Sequence, residues 1–209
     1  MIAQKTVKIV KLLDERDISG MTDETTRLVL LFREGDRQAF AELVKAFHSR
    51  VYALAYKILM NHSDADEVAQ ETFVRVYSRI SQLKSPVRFD SFLFRIATNY
   101  AIDLLRKRKG RVVAMGDEGE LPGNIQVSLS LRVTDPEKTL ENKQLLDAII
   151  KAAEELPPRQ KVTLVLHDIE GRSKEEIARI LECPEATVRS NLHIARNKLK
   201  QKLSKFLSM

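Results

Sequence analysis

Apolar residues return every three or four positions over most of this chain, a spacing that predicts helices rather than strands. After a turn at Gly35, with Asp36 as N-cap, Phe40, Leu43, Val44, Phe47, Val51, Leu54 and Ile58 fall on one face of a helix ending near Met60. Asn61, His62 and Ser63 make the next turn. A second helix follows from about Asp64 to Ile80, with Val68, Thr72, Phe73, Val76 and Ile80 turned toward the first. The stretch Gln82 to Phe89 holds Pro86 and reads as a loop. A third helix opens at Asp90 or Ser91 and carries Leu93, Ile96, Ala97, Tyr100, Ala101, Leu104 and Leu105 at the same spacing. Its other face offers Arg95, Thr98, Asn99 and Asp103.

Periodicity stops near Val112. Gly116, Gly119, Pro122 and Gly123, mixed with Asp117, Glu118 and Glu120, predict an acidic flexible linker over 112–134. Within it Ile125, Val127, Leu129 and Leu131 alternate as a short strand would. Asp135 and Pro136 open a second helical region. Leu145, Leu146, Ile149, Ile150 and Ala153 mark one helix, broken at Leu156, Pro157 and Pro158. Val162, Val165, Leu166 and Ile169 mark the next, with Gly171 as its C-terminal cap. Ser173 and Glu176 form a capping box before Ile177, Ala178 and Leu181. A tight turn at Glu182, Cys183 and Pro184 leads to a last helix that points Val188, Leu192, Ala195, Leu199 and Leu203 inward. The expected fold class is all-α: two small helical domains joined by a flexible linker.

Composition narrows the function. The 209 residues include only 7 Gly and 6 Pro, in keeping with helix. Net charge is +6, which suits a polyanionic partner, and its distribution is uneven. Five of the six positions from Arg106 to Arg111 are cationic, more than helix-end charge requires. From Ala186 to Met209 there is no acid, yet Arg189, Arg196, Lys198, Lys200, Lys202 and Lys205 are present. The short helix, tight turn and longer helix over 173–203 follow the helix-turn-helix plan, in which the second helix enters the major groove. Its outward residues are Thr187, Arg189, Ser190, Asn191, His193 and Arg196.

Asp64, Asp66, Glu67 and Glu71 crowd the start of the second helix. Acids there stabilise a helix, and they equally suit a basic protein partner; chemistry alone does not choose. The single cysteine excludes an intrachain disulfide and fits a reducing cytoplasm. Cys183 in its turn reads as a packing residue. No run approaches the roughly 20 apolar residues of a spanning helix. His48, His62, His167 and His193 lack metal-ligand spacing, and no glycine-rich phosphate loop occurs. The expectation is therefore a non-enzymatic protein without metal or cofactor.

Taken together, the segments resemble the extracytoplasmic-function sigma factors of the sigma-70 family. The run DADEVAQETFVRVY from Asp64 to Tyr77 resembles region 2.2; FDSFLFRIATNYAIDLLRKRK from Phe89 to Lys109 resembles regions 2.3 and 2.4. LPPRQ from Leu156, HDIEGRSKEEIA from His167 and ATVRSNLHIAR from Ala186 resemble region 4. The resemblance implies an N-terminal extension over 1–26, a region 2 domain over 27–111, the linker over 112–134 and a region 4 domain over 135–209.

It also implies roles. Asp66, Glu67, Gln70 and Glu71 would engage the clamp helices of the largest subunit of RNA polymerase core, whose flap would take region 4. Ser85, Arg88, Phe89, Arg95 and Asn99 would capture an unpaired base of the minus-10 element, with Arg106, Lys107, Arg108 and Arg111 on its phosphates. Thr187, Arg189, Ser190, Asn191, His193 and Arg196 would face the minus-35 duplex. An anti-sigma factor is an expected partner. The acidic linker would thread toward the RNA path of the polymerase. Asn191 and Ile194 stand where family members often carry basic residues, so the minus-35 sequence is not legible. Met21 resembles a family start; either it is the natural one, or residues 1–20 form an accessory helix. A final expectation concerns the free protein, in which region 4 packs on region 2 and hides both DNA faces.

Overall fold

The computed structural model describes residues 23–115 and 152–207, with side chains over 24–108 and 152–204. Helix α1 (Asp23–Arg33) precedes α2 (Arg37–Leu59), α3 (His62–Arg79) and α4 (Phe89–Met115). Two single 3-10 turns, Ile80–Gln82 and Pro86–Arg88, bridge α3 and α4. After the undescribed segment come α5 (Pro158–Leu164), a π-helical turn (Val165–Ile169), α6 (Lys174–Ile180) and α7 (Glu185–Leu207). The described residues contain no strand; the alternating stretch at Ile125–Leu131 lies outside them, as do residues 1–20 and the helix expected around Leu145.

Local chemistry sets the helix ends. Asp36 accepts hydrogen bonds from the N–H groups of Gln38 and Ala39 at 2.8 and 3.2 Å, satisfying donors the first turn leaves open. Met60 closes α2 in the left-handed region at φ 53°. The Asn61 side chain caps α3 through the Asp64 N–H. The capping box is present at α6: Ser173 accepts from the Glu176 N–H, and the Glu176 carboxylate accepts from the Ser173 N–H. Gly171 sits at φ +68°, where a Cβ would be strained, and turns the chain so that the Arg172 N–H reaches the Leu166 carbonyl at 3.0 Å.

The inward stripes agree with the periodicity. Leu43, Phe47, Val51, Leu54 and Ile58 of α2, Val68, Phe73 and Val76 of α3, and Leu93, Ile96, Ala97 and Ala101 of α4 are buried together. Three readings need correction. The chain is helical from Asp23, and Thr25 and Thr26 are buried, so the boundary placed at 26 falls inside an integrated helix. Helix α4 passes through Gly110 to Met115, four residues into the expected linker, because one glycine costs a helix only about 1 kcal/mol. Thr98 is fully buried rather than outward; its hydroxyl donates to the Phe94 and Arg95 carbonyls, which lets a polar side chain sit in the core.

The two helical units are not separate bodies. Helix α4 packs on both α5 and α6. One apolar cluster runs from Phe92, Leu93 and Phe94 of α4 into Val162, Val165, Leu166, Ile177, Ile180 and Leu181 of the C-terminal unit. Polar contacts ring this seam. The Arg172 guanidinium donates to Asp90 at 2.9 Å and lies 4.4 Å from the Phe94 ring centroid. Asp90 also accepts from Arg50 at 3.0 Å. Lys57 pairs with Glu170 at 2.5 Å, and Arg95 pairs with Glu182.

Candidate nucleic-acid and polymerase interface

Helix α3 presents its acids as a set. Asp66, Glu67 and Gln70 are exposed and Glu71 is half-buried, all within the first three turns. Beside them Val74 is 62% exposed. The set is wired to α4. The Tyr100 hydroxyl donates to Glu67 at 2.5 Å, and this bond, with burial and the carboxylate charges, pushes the Tyr100 phenol up to about 12. Arg75 holds Glu71 at 2.7 Å and lies 4.5 Å from the Tyr100 ring centroid. The sequence pattern shows the acids but not this bridge, since Tyr100 carries the spacing of an ordinary core residue.

The loop before α4 and the outer face of α4 hold the residues expected at the minus-10 strand. Arg88, Asn99, Arg106 and Lys107 are exposed; Ser85 and Arg95 are half-buried. Phe89 is not available. It is fully buried, its ring edge-on to Phe47 at 5.4 Å, so it supports the loop from beneath. Arg108 pairs with Asp64 and donates to the Leu59 carbonyl at 3.4 Å, which ties the basic end of α4 to the α2–α3 turn. The Arg111 side chain lies outside the described ones.

In the C-terminal unit Val188, Leu192 and Ala195 of α7 are buried against α5 and α6. That packing turns Thr187, Arg189, Ser190, His193 and Arg196 outward and leaves Asn191 half-buried. Ile194 is 37% exposed among them. Two of the arginines are already engaged. Arg189 pairs with Glu185 one turn earlier. Arg196 reaches both oxygens of Asp168, and its guanidinium also lies 3.2 Å from His167 Nδ1. The Arg196 hydrogen bond, reinforced by His167, holds the Asp168 carboxyl below the usual carboxylate range. Burial pushes the Cys183 thiol up, which suits packing rather than nucleophilic use. Among the described residues no group of His, Cys, Asp and Glu is arranged to hold a metal ion, and no helix is long and apolar enough to cross a membrane.

The seam between the units covers part of this surface. Arg95 is occupied by Glu182, and the Ser85–Arg88 loop forms one wall of a cleft facing α6. The exposed face of α7 is left open, as are Asp66, Glu67 and Gln70. Closure therefore covers only part of the face expected at the minus-10 strand, at Ser85 and Arg95, and leaves the face of α7 open, because α7 packs through its inner stripe on α5 and α6 while α6 and α5 meet α4.

A helical unit with exposed acids beside a basic helix, followed by a helix-turn-helix unit, has the layout of a two-part nucleic-acid-binding protein. Family models place it further: sigma-70 region 2 matches residues 43–111, and sigma-70 region 4 matches residues 146–199. The ECF RNA polymerase sigma factor SigW of Bacillus subtilis is 33% identical over 175 residues, covering 82% of this chain and 92% of that protein. SigE of Mycolicibacterium smegmatis is 34% identical, covering 90% of this chain and 71% of its own length. Among solved structures, CnrH in complex with the cytosolic domain of CnrY superposes with a TM-score of 0.59 at 23% identity, covering 88% of this chain and 99% of that one. The sigma factor RpoE of Bartonella quintana, solved with the anti-sigma factor NepR, gives 0.58 at 22% identity, covering 79% and 96%. These two likenesses concern the fold. The chain belongs to the ECF sigma factors of the sigma-70 family.

Proposed function

We propose that this chain directs RNA polymerase core to specific promoters, with region 2 running from α1 through α4 (residues 23–115) and region 4 over 135–209, as a DNA-recognition subunit rather than a catalyst. The observation that carries the reading is the division of labour along one chain. Acids fit for a basic protein sit on α3, while cations and hydrogen-bonding side chains fit for DNA sit on α4 and α7. Asp66, Glu67, Gln70 and Glu71 dock on the clamp helices of the largest subunit, and region 4 meets the flap. Thr187, Arg189, Ser190, Asn191, His193 and Arg196 face the minus-35 duplex. Ser85, Arg88, Arg95 and Asn99 hold an unpaired minus-10 base, with Arg106, Lys107, Arg108 and Arg111 on phosphates. Phe89 acts by holding the loop in shape. Exposed α7 arginines supply the salt-dependent part of the affinity.

The protein works where the polymerase is, in the cytoplasm. An anti-sigma factor is the expected regulator, a proposal motivated by the NepR complex of its structural relative. The experiment is in vitro transcription with purified core and fragmented genomic DNA, with and without the protein. New start sites sharing an upstream motif are the expected result. Sharp binding to particular fragments without core, and no new starts, would replace this reading with that of a repressor.

A further inference from the structure

The seam between the two units encloses a cleft of about 290 Å³, close to the small-molecule scale and too small for a duplex. Lys84, Ser85 and Arg88 of the loop and Ser91 in the first turn of α4 line one side; Arg179 and Glu182 of the C-terminal unit line the other. Glu182 is spent on Arg95. Lys84, Arg88 and Arg179 are exposed and have no acidic partner among the described residues. Packing α6 on α4 thus carries Arg179 toward two cations that it would not meet if the units were apart.

We propose that this cleft is a binding site for a compact oligophosphate, either a free phosphate chain or that of a nucleoside 5′-triphosphate. Three unpaired cations from two units suit several phosphate groups at once. The Ser85 and Ser91 hydroxyls add neutral donors, and the N-terminal end of a 27-residue helix favours negative charge. The site exists whole only when the units are packed, so its ligand binds the closed form better and shifts the population toward it. Ser85 and Arg88 also belong to the set proposed for the minus-10 base, so oligophosphate and promoter strand would compete for this side of the cleft, whereas Arg179, on the first helix of the helix-turn-helix, lies outside both DNA-facing sets and its loss reports on the oligophosphate alone.

The test is isothermal calorimetry on the full chain at low salt, with inorganic tripolyphosphate and ATP as separate probes. One site per chain is expected. Arg88→Gln and Arg179→Gln each weaken it about tenfold, the scale of one charge-assisted hydrogen bond. Arg179→Lys restores part of the loss. Lys45→Gln, which removes an exposed charge on α2, leaves it unchanged. Binding of tripolyphosphate alone assigns the site to the free chain, and binding of ATP assigns it to a nucleotide. No saturable binding of either probe overturns the proposal. So does a loss in Arg88→Gln with full binding in Arg179→Gln, because the cleft would then be one-sided. Circular dichroism of each variant separates a lost site from a lost fold.

Discussion

At the scale of single residues, several of the arginines that would meet DNA are parked on carboxylates. Arg196 rests on Asp168, Arg189 on Glu185 and Arg95 on Glu182. Phosphate must displace these partners, so their removal has opposite effects on the two sides of each pair. Asp168→Asn frees Arg196 and is expected to tighten duplex binding by region 4 severalfold, read by fluorescence anisotropy on promoter-length duplex; weaker binding would mean that Asp168 orients Arg196 for its contact. The same variant tests a pH effect. The Asp168 carboxyl titrates lower in the folded chain than in the unfolded one. Its stabilising contribution is present above the ordinary aspartate value near 4 and fades as pH falls through the lower folded one. Asp168→Asn should therefore flatten the acid limb of a stability-versus-pH curve. Tyr100 gives the alkaline counterpart. Its phenol is raised to about 12, so its contribution holds below about pH 10 and is lost as pH climbs toward 12. Ultraviolet titration should find Tyr100 ionising late in the wild type, and Glu67→Gln should bring it earlier.

At the scale of elements, caps and stripes decide where helices begin and what they bury. Ser173→Ala removes half of the capping box at α6 and should cost about 1 kcal/mol in denaturant unfolding; no change would mean that tertiary packing alone holds α6. The α2 start at Asp36, the α6 cap, the Glu182–Pro184 turn and the inward stripe of α7 are all legible in sequence, because each is a local rule of spacing or hydrogen bonding. Helix α1 is less so: Asp23–Arg33 has a short stripe, and only its packing on α2, α4, the Pro86–Arg88 turn and Tyr77 of α3 explains why Val29 and Phe32 are buried. Phe89 and Thr98 defeat pattern reading for the same reason. Whether a residue beside a helix start faces a neighbour depends on the angle between α2 and α4, which periodicity within one element does not contain.

At the scale of the whole molecule, the seam joins residues far apart in sequence. Arg172 and Asp90 lie 82 positions apart, and no local motif pairs them. The Arg172 side chain is only 12% exposed, so cutting it to alanine loses both an ion pair and a packed guanidinium over Phe94. Arg172→Ala is expected to enlarge the radius of gyration of the free chain in small-angle scattering. An unchanged radius would mean that the apolar part of the seam suffices. Because one cluster spans both units, the wild type should melt in a single transition and the variant in two.

The position of Asp90 beside the minus-10 loop has a consequence for dosage. A protein competent only in its open fraction binds as though its affinity were divided by that fraction. About 1.4 kcal/mol of closure then demands tenfold more chain for the same promoter occupancy. Asp66 and Glu67 on α3, proposed to dock on core, are exposed in the packed form, so core would be able to collect the shut molecule first and open it afterwards. Arg172 would in that way set how many copies a cell can hold in silence before its promoters answer.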